Sequence, residues 1–139
     1  MPSRIPAPGD VLVYGYLWSH ESDIGRDEPV KERPCVVVLA VGDDPNPQIL
    51  VAPITSRDPR RDDAISLSPG ALGLNRASWI IPWELNAFLW PGPDIGRAPQ
   101  PAGAWWRLGA LTPALRQRLR AAVEAGLLNR RARITRRPD

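Results

Sequence analysis

The chain has 139 residues, 43% of them hydrophobic and 24% charged, with a net charge of +3. That is enough to bury one core without disulfide staples, and too apolar for disorder throughout. A lone cysteine, Cys35, excludes an intramolecular disulfide, and with His20 as the only histidine a Cys/His zinc site is not expected.

The charge is uneven. Residues 1–106 hold nine Lys/Arg against thirteen Asp/Glu, whereas residues 107–139 hold nine Arg against Glu124 and Asp139. Basic charge gathered at one end suits an anionic partner, and equally a solvated helix face with a soluble tail. The start carries prolines and no apolar segment of the signal-peptide kind. The longest apolar run, residues 35–41, is far too short to span a membrane. The expectation is a cytoplasmic protein without membrane contact.

In chain order, Pro8-Gly9-Asp10 is a turn signal, and the β-rich alternation of residues 11–17 predicts a strand. Residues 18–32 are charged and turn-forming, a loop long enough to be functional. Residues 33–41, with Val36-Val37-Val38-Leu39 at their centre, predict a strand buried on both faces. A turn over residues 42–47 leads to a strand at 48–55, which reads as an antiparallel hairpin. After a polar loop at 56–63 come a short strand at 64–67 and one strand over 78–86. Residues 90–103 are Pro- and Gly-rich and irregular, and 105–108 form a short last strand.

Thr112 and Pro113 open a helix as N-cap and first helical residue. Leu115, Leu119, Ala122 and Val123 give it an apolar stripe, and Gly126 is its expected stop. Residues 129–139, with five Arg and little to bury, are expected to be a basic, mobile tail beside a domain at 1–128. The pattern predicts a mainly β (α+β) domain with a C-terminal helix, its small bent sheet closing into a barrel to remove edges.

No nucleophile elbow, metalloprotease, P-loop or dinucleotide-binding pattern is present. Three local features carry chemistry. Arg33, in Lys31-Glu32-Arg33-Pro34-Cys35, stands at the mouth of the buried strand, and its planar, permanent charge suits phosphate. Thr55 and Ser56 end the apolar run Val51-Ala52-Pro53-Ile54 beside Arg57, Arg60 and Arg61, a combination able to hold a phosphodiester. His20, beside Trp18 and Glu21, is a candidate acid or base. Each has an ordinary structural explanation too: an ion pair of Arg33 with Glu32 or Glu28, a turn capped by its own hydroxyls, an inert loop histidine.

Taken together, the features resemble a known family. Gly9-Asp10-Val11, His20-Glu21, Gly25, Arg33-Pro34, Val51-Ala52-Pro53-Ile54-Thr55-Ser56, Leu72-Gly73-Leu74, Ser78-Trp79-Ile80-Ile81, Leu108-Gly109 and Leu111-Thr112-Pro113 resemble, in order and spacing, the PemK/MazF toxins of toxin–antitoxin systems. The resemblance covers residues 8–128. It departs in a longer loop before Arg33, in Pro82-Trp83-Glu84 and in residues 88–94.

It implies a homodimer of SH3-like barrels that cleaves single-stranded RNA without metal or cofactor, through a 2′,3′-cyclic phosphate, and that a cognate antitoxin neutralises. By the resemblance, Arg33 stabilises the phosphate, Thr55 positions it and His20 does acid–base work. Ser56, Arg57, Glu21 and Glu84 join in RNA binding, and Trp18 or Trp83 stacks a base. The alternatives are a non-catalytic gyrase inhibitor of the CcdB kind and an RNA-binding relative that does not cut.

Overall fold

The computed structural model describes residues 5–16 and 31–137. Nine strands and one helix are formed among them: β1 (Asp10–Tyr16), β2 (Lys31–Val41), β3 (Gln48–Thr55), β4 (Ile65–Leu67), β5 (Ser78–Ile80), β6 (Glu84–Leu89), β7 (Ile95–Gly96), β8 (Arg107–Ala110), α1 (Pro113–Leu128) and β9 (Arg133–Arg136). The fold is mainly β, a large and mostly antiparallel sheet with a C-terminal helix. No helix among the described residues is long and apolar enough to cross a membrane.

β1, β2 and β3 are consecutive antiparallel neighbours, with Val11 opposite Val36 and Val36 opposite Ala52. Their alternation buries both faces. Val11, Val36, Val38, Ala52 and Ile54 enter one cluster, which Leu119 and Val123 of α1 cover. Leu12, Tyr14, Tyr16, Cys35, Val37, Ile49 and Val51 enter a second, closed by Phe88, Trp90 and Trp106. The Tyr14 and Phe88 rings stack there, 4.5 Å apart. The register shifts between Val37 and Leu39. An extra residue in one strand reverses the inward–outward parity of the residues after it, so Val38 and Leu39 both serve the first cluster and Ala40 the second.

The strand expected over residues 78–86 is two strands. Ile80 pairs with Ile54, while Asn86 pairs with Val51, so the register advances by the three residues 81–83. Pro82 has no N–H to give a ladder, and the chain steps out there before returning to the first half of β3. The irregular segment at 90–103 holds the two-residue β7, and the last strand before the helix runs 107–110 rather than 105–108.

The helix begins as its sequence dictates. Thr112 is the N-cap, its hydroxyl accepting from the Leu115 amide at 3.2 Å, and Pro113 comes next. It ends at Leu128, beyond Gly126. That glycine serves a close approach instead: the chain folds back so that the Arg131 and Ala132 amides donate to the Gly126 carbonyl, and a Cβ there would sit 3.1 Å from the Ala132 methyl.

The segment expected as a tail after Asn129 is built into the fold. β9 lies parallel to β6, with Ile134 opposite Leu85, and Thr135 is buried. Arg137, only 5% exposed, donates to the Gly15 carbonyl (2.6 Å), the Asn86 Oδ1 (3.3 Å) and the Asp94 carboxylate (2.7 Å). Composition pointed to solvent because a run of Arg ordinarily stays wet. Here the guanidinium finds acceptors on three distant elements, which is what makes burial of a charge tolerable.

Arg137→Ala strips donors from Asp94 and Gly15, and is expected to lower stability by about 3 kcal/mol. Arg136→Ala, at an exposed neighbour, should change it by less than about 0.5 kcal/mol. Urea denaturation of both variants checks this; equal, small effects would mean that Arg137 holds nothing.

Candidate functional site

Antiparallel pairing puts the beginning of β2 beside the end of β3. Cys35 faces Pro53, and the same register carried outward sets Arg33 beside Thr55. β5 lies on the far side of β3, with Trp79 opposite Thr55. Where these strands leave the core, a cleft of about 770 Å³ opens, lined by Glu32, Arg33, Pro34, Ile54, Thr55, Ser56, Arg57, Leu74, Asn75, Arg76 and Ser78. Four of the residues singled out from sequence, Arg33, Thr55, Ser56 and Arg57, therefore line one cleft.

The Thr55 hydroxyl oxygen accepts from the Arg57 amide at 3.1 Å. One lone pair is thereby used, and the O–H proton stays available to an acceptor in the cleft. Arg33 is half-buried and lines the cleft, on a strand whose next side chain but one, Cys35, is fully buried. Glu32 is the one carboxylate lining the cleft. A side chain at Gly96 would run into that carboxylate, so glycine at this point of β7 leaves it its place.

Behind Arg33 lie two acidic groups that stay neutral. Burial pushes the Cys35 thiol far up, with Arg33 and Arg137 pulling only weakly the other way. Burial also raises the Tyr16 phenol, aided by the charge of Glu84 and by Cys35, against Arg33 and Arg137. Neither the thiol nor the phenol carries a charge near pH 7.

The remaining sequence candidates lie elsewhere. Glu84 opens β6, opposite Arg133, and acts on the site's surroundings through Tyr16 rather than lining the cleft. Trp83 belongs to a second cleft of about 270 Å³ beside α1, and the Arg61 guanidinium sits 3.6 Å from the centre of its ring. A base stacked on that face would first have to displace Arg61. Trp18, His20 and Glu21, with the loop at 18–30, lie outside the described residues. Asn75, Arg76 and Ser78 were not singled out from sequence. Their one signal is a polar interruption, Asn75-Arg76, between apolar residues and the start of β5.

Among the described residues no three His, Cys, Asp or Glu come together as metal ligands. The cleft offers three guanidiniums, hydroxyls and an amide, donors suited to an anion such as a phosphodiester. No family model matches this chain, and no curated protein matches it.

The buried thiol and phenol set a pH dependence. Their folded values lie above the unfolded ones, so the folded state keeps protons that the unfolded chain releases. Stability should be intact below about pH 8.5 and fall as pH rises beyond it, first through Cys35 and above about pH 10 also through Tyr16. Urea midpoints at pH 7, 9 and 10.5 check this; Cys35→Ser should remove the decline between the first two. A flat profile would contradict the assignment.

Proposed function

We propose that the protein is an RNA-cleaving toxin of the PemK/MazF kind, acting on single-stranded RNA in the cytoplasm. The observation that carries this reading is the meeting of Arg33 with Thr55, Ser56 and Arg57 on one cleft, from two strands whose ends are neighbours only through the sheet. In the reaction, the ribose 2′-oxygen attacks the adjacent phosphorus as its proton leaves to a base. A 2′,3′-cyclic phosphate forms, the bond to the 5′-oxygen breaks, and that oxygen takes up a proton.

Arg33 stabilises the charge of the phosphorane and Thr55 donates its O–H to a phosphate oxygen. Ser56 and Arg57 hold the flanking backbone. For the proton, Glu32 is the one carboxylate among the residues lining the cleft. His20, assigned to acid–base work from sequence, joins it in this reading.

The same reading takes the sheet as an SH3-like barrel, the active unit as a homodimer and the regulator as an antitoxin. Leu127, Leu128 and Ile134 are exposed apolar side chains at the end of α1 and on β9, surface that a second copy would cover. Trp90 and Trp106 are core and offer such a contact no surface.

Purified protein with EDTA should cut single-stranded RNA, leaving cyclic-phosphate ends by mass analysis. Arg33→Ala should slow cutting by about 100-fold or more and lower stability by about 1–2 kcal/mol. Diverse RNAs left intact at high protein concentration would sink the nuclease and leave an RNA-binding relative or a gyrase inhibitor.

A further inference from the structure

The cleft has a second wall that this chemistry leaves unused. Leu74, Asn75, Arg76 and Ser78 face the catalytic side from the run into β5. We propose that this wall is the recognition side of the site. Arg76 binds a second phosphate of a single-stranded oligonucleotide, and Asn75 reads the edge of a base between it and the phosphate held by Arg33. The proposal rests on the nucleic-acid reading of the cleft.

β2, β3 and β5 are successive neighbours, so the Arg33 wall and the Arg76 wall are two strand spacings apart, roughly 10 Å. Backbones that far apart leave room between the walls for a short run of nucleotides, in a cleft of about 770 Å³.

The wall is also built into the fold. Ser78 is buried, and its hydroxyl donates to the Arg76 carbonyl at 3.1 Å, fixing the backbone that carries the guanidinium. The Gly70 amide donates to the Leu74 carbonyl at 2.7 Å, and Leu72 and Leu74 pack on the first core cluster. The backbone that carries the wall is thus set before a ligand arrives.

Arg61, Arg107, Arg120 and Arg137 each pair with a carboxylate, while among the described residues Arg57 and Arg76 pair with none. Arg57 and Arg76, both exposed, thus bring positive charge to the cleft, as a polyanion requires. The lining also indicates how a base is read. It contains no aromatic platform, and Asn75 is its one amide, with a donor and an acceptor together. Hydrogen bonds to an unstacked base edge are what such a group offers, with Leu74 and Pro34 as apolar surface beside it.

Fluorescence anisotropy with a six-nucleotide, 2′-O-methyl single strand, which cannot be cut, tests this on the full chain. Arg76→Ala should bind about tenfold more weakly at low salt, with the slope of log affinity against log salt reduced by about 0.7. Asn75→Ala should keep the slope and lose preference among base compositions. Arg118→Ala, on the exposed face of α1, should match the wild type.

An unchanged slope in Arg76→Ala would overturn the proposal, and so would an equal loss in Arg118→Ala. Competition by inorganic phosphate as effective as by the oligonucleotide would also overturn it, reducing the cleft to a one-phosphate pocket. The two readings fail separately. A wild type that binds with these effects but leaves RNA intact loses only its nuclease assignment. One that cuts RNA while Arg76→Ala behaves normally loses only the recognition wall. A wild type that binds no strand loses both.

Discussion

The sheet of β1, β2 and β3 is buried on both faces, and the rest of the structure answers to that constraint. A sheet without a wet face needs cover on each side. Here α1 and β4–β6 supply one cover, and the aromatic residues of β6 to β8 and their connections supply the other. It also means that a charged side chain buried there needs a partner inside. Asp10 is 3% exposed, and its carboxylate accepts from the Arg107 guanidinium and the Ala7 amide, tying the entry to β1 to β8. Arg137 does the same from the other end of the chain.

The site lies where that burial stops. β2 enters the core at Cys35 and β3 leaves it after Ile54, and antiparallel pairing makes those two points adjacent. Side chains one step outside the core, Arg33 and Thr55, are anchored by rigid strands and still reach solvent. Such a place suits precise groups better than a loop tip does. The loop at 56–63 adds Ser56 and Arg57 to the rim, and within it Asp63 is held below the usual carboxylate range by its hydrogen bonds from Arg61.

Electrostatically, the molecule separates structural from available arginines. The excess positive charge of residues 107–139 suggested one basic surface, but its arginines are divided in the fold. Arg107 and Arg137 are enclosed with Asp10 and Asp94, and Arg120 pairs along the helix with Glu124. The cleft draws instead on Arg33, Arg57 and Arg76, from residues 1–106, whose net charge is negative. Bulk charge asymmetry along a sequence therefore did not foretell which arginines share the cleft; strand pairing decided it.

Much was legible in the sequence where the cause is local. The apolar run at 36–39 could only be a buried strand, the 48–55 strand has the bounds its pattern predicts, and Thr112-Pro113 starts the helix through its own hydroxyl and missing N–H. Arg33 and Thr55 were legible as candidates because strand mouths are marked by abrupt changes of polarity. The features that stayed illegible depend on partners far along the chain. The break at Pro82 is decided by which half of β3 each piece meets, and Gly126 by the chain returning across the helix end. Arg137 reads as a solvated tail residue until Gly15, 122 positions away, and Asp94, 43 away, surround it. Asn75 and Arg76 join the cleft only because β5 pairs with the end of β3. Periodicity and capping are properties of neighbours in sequence. Burial of a charge and the assembly of a cleft are properties of neighbours in space, which tertiary pairing alone creates.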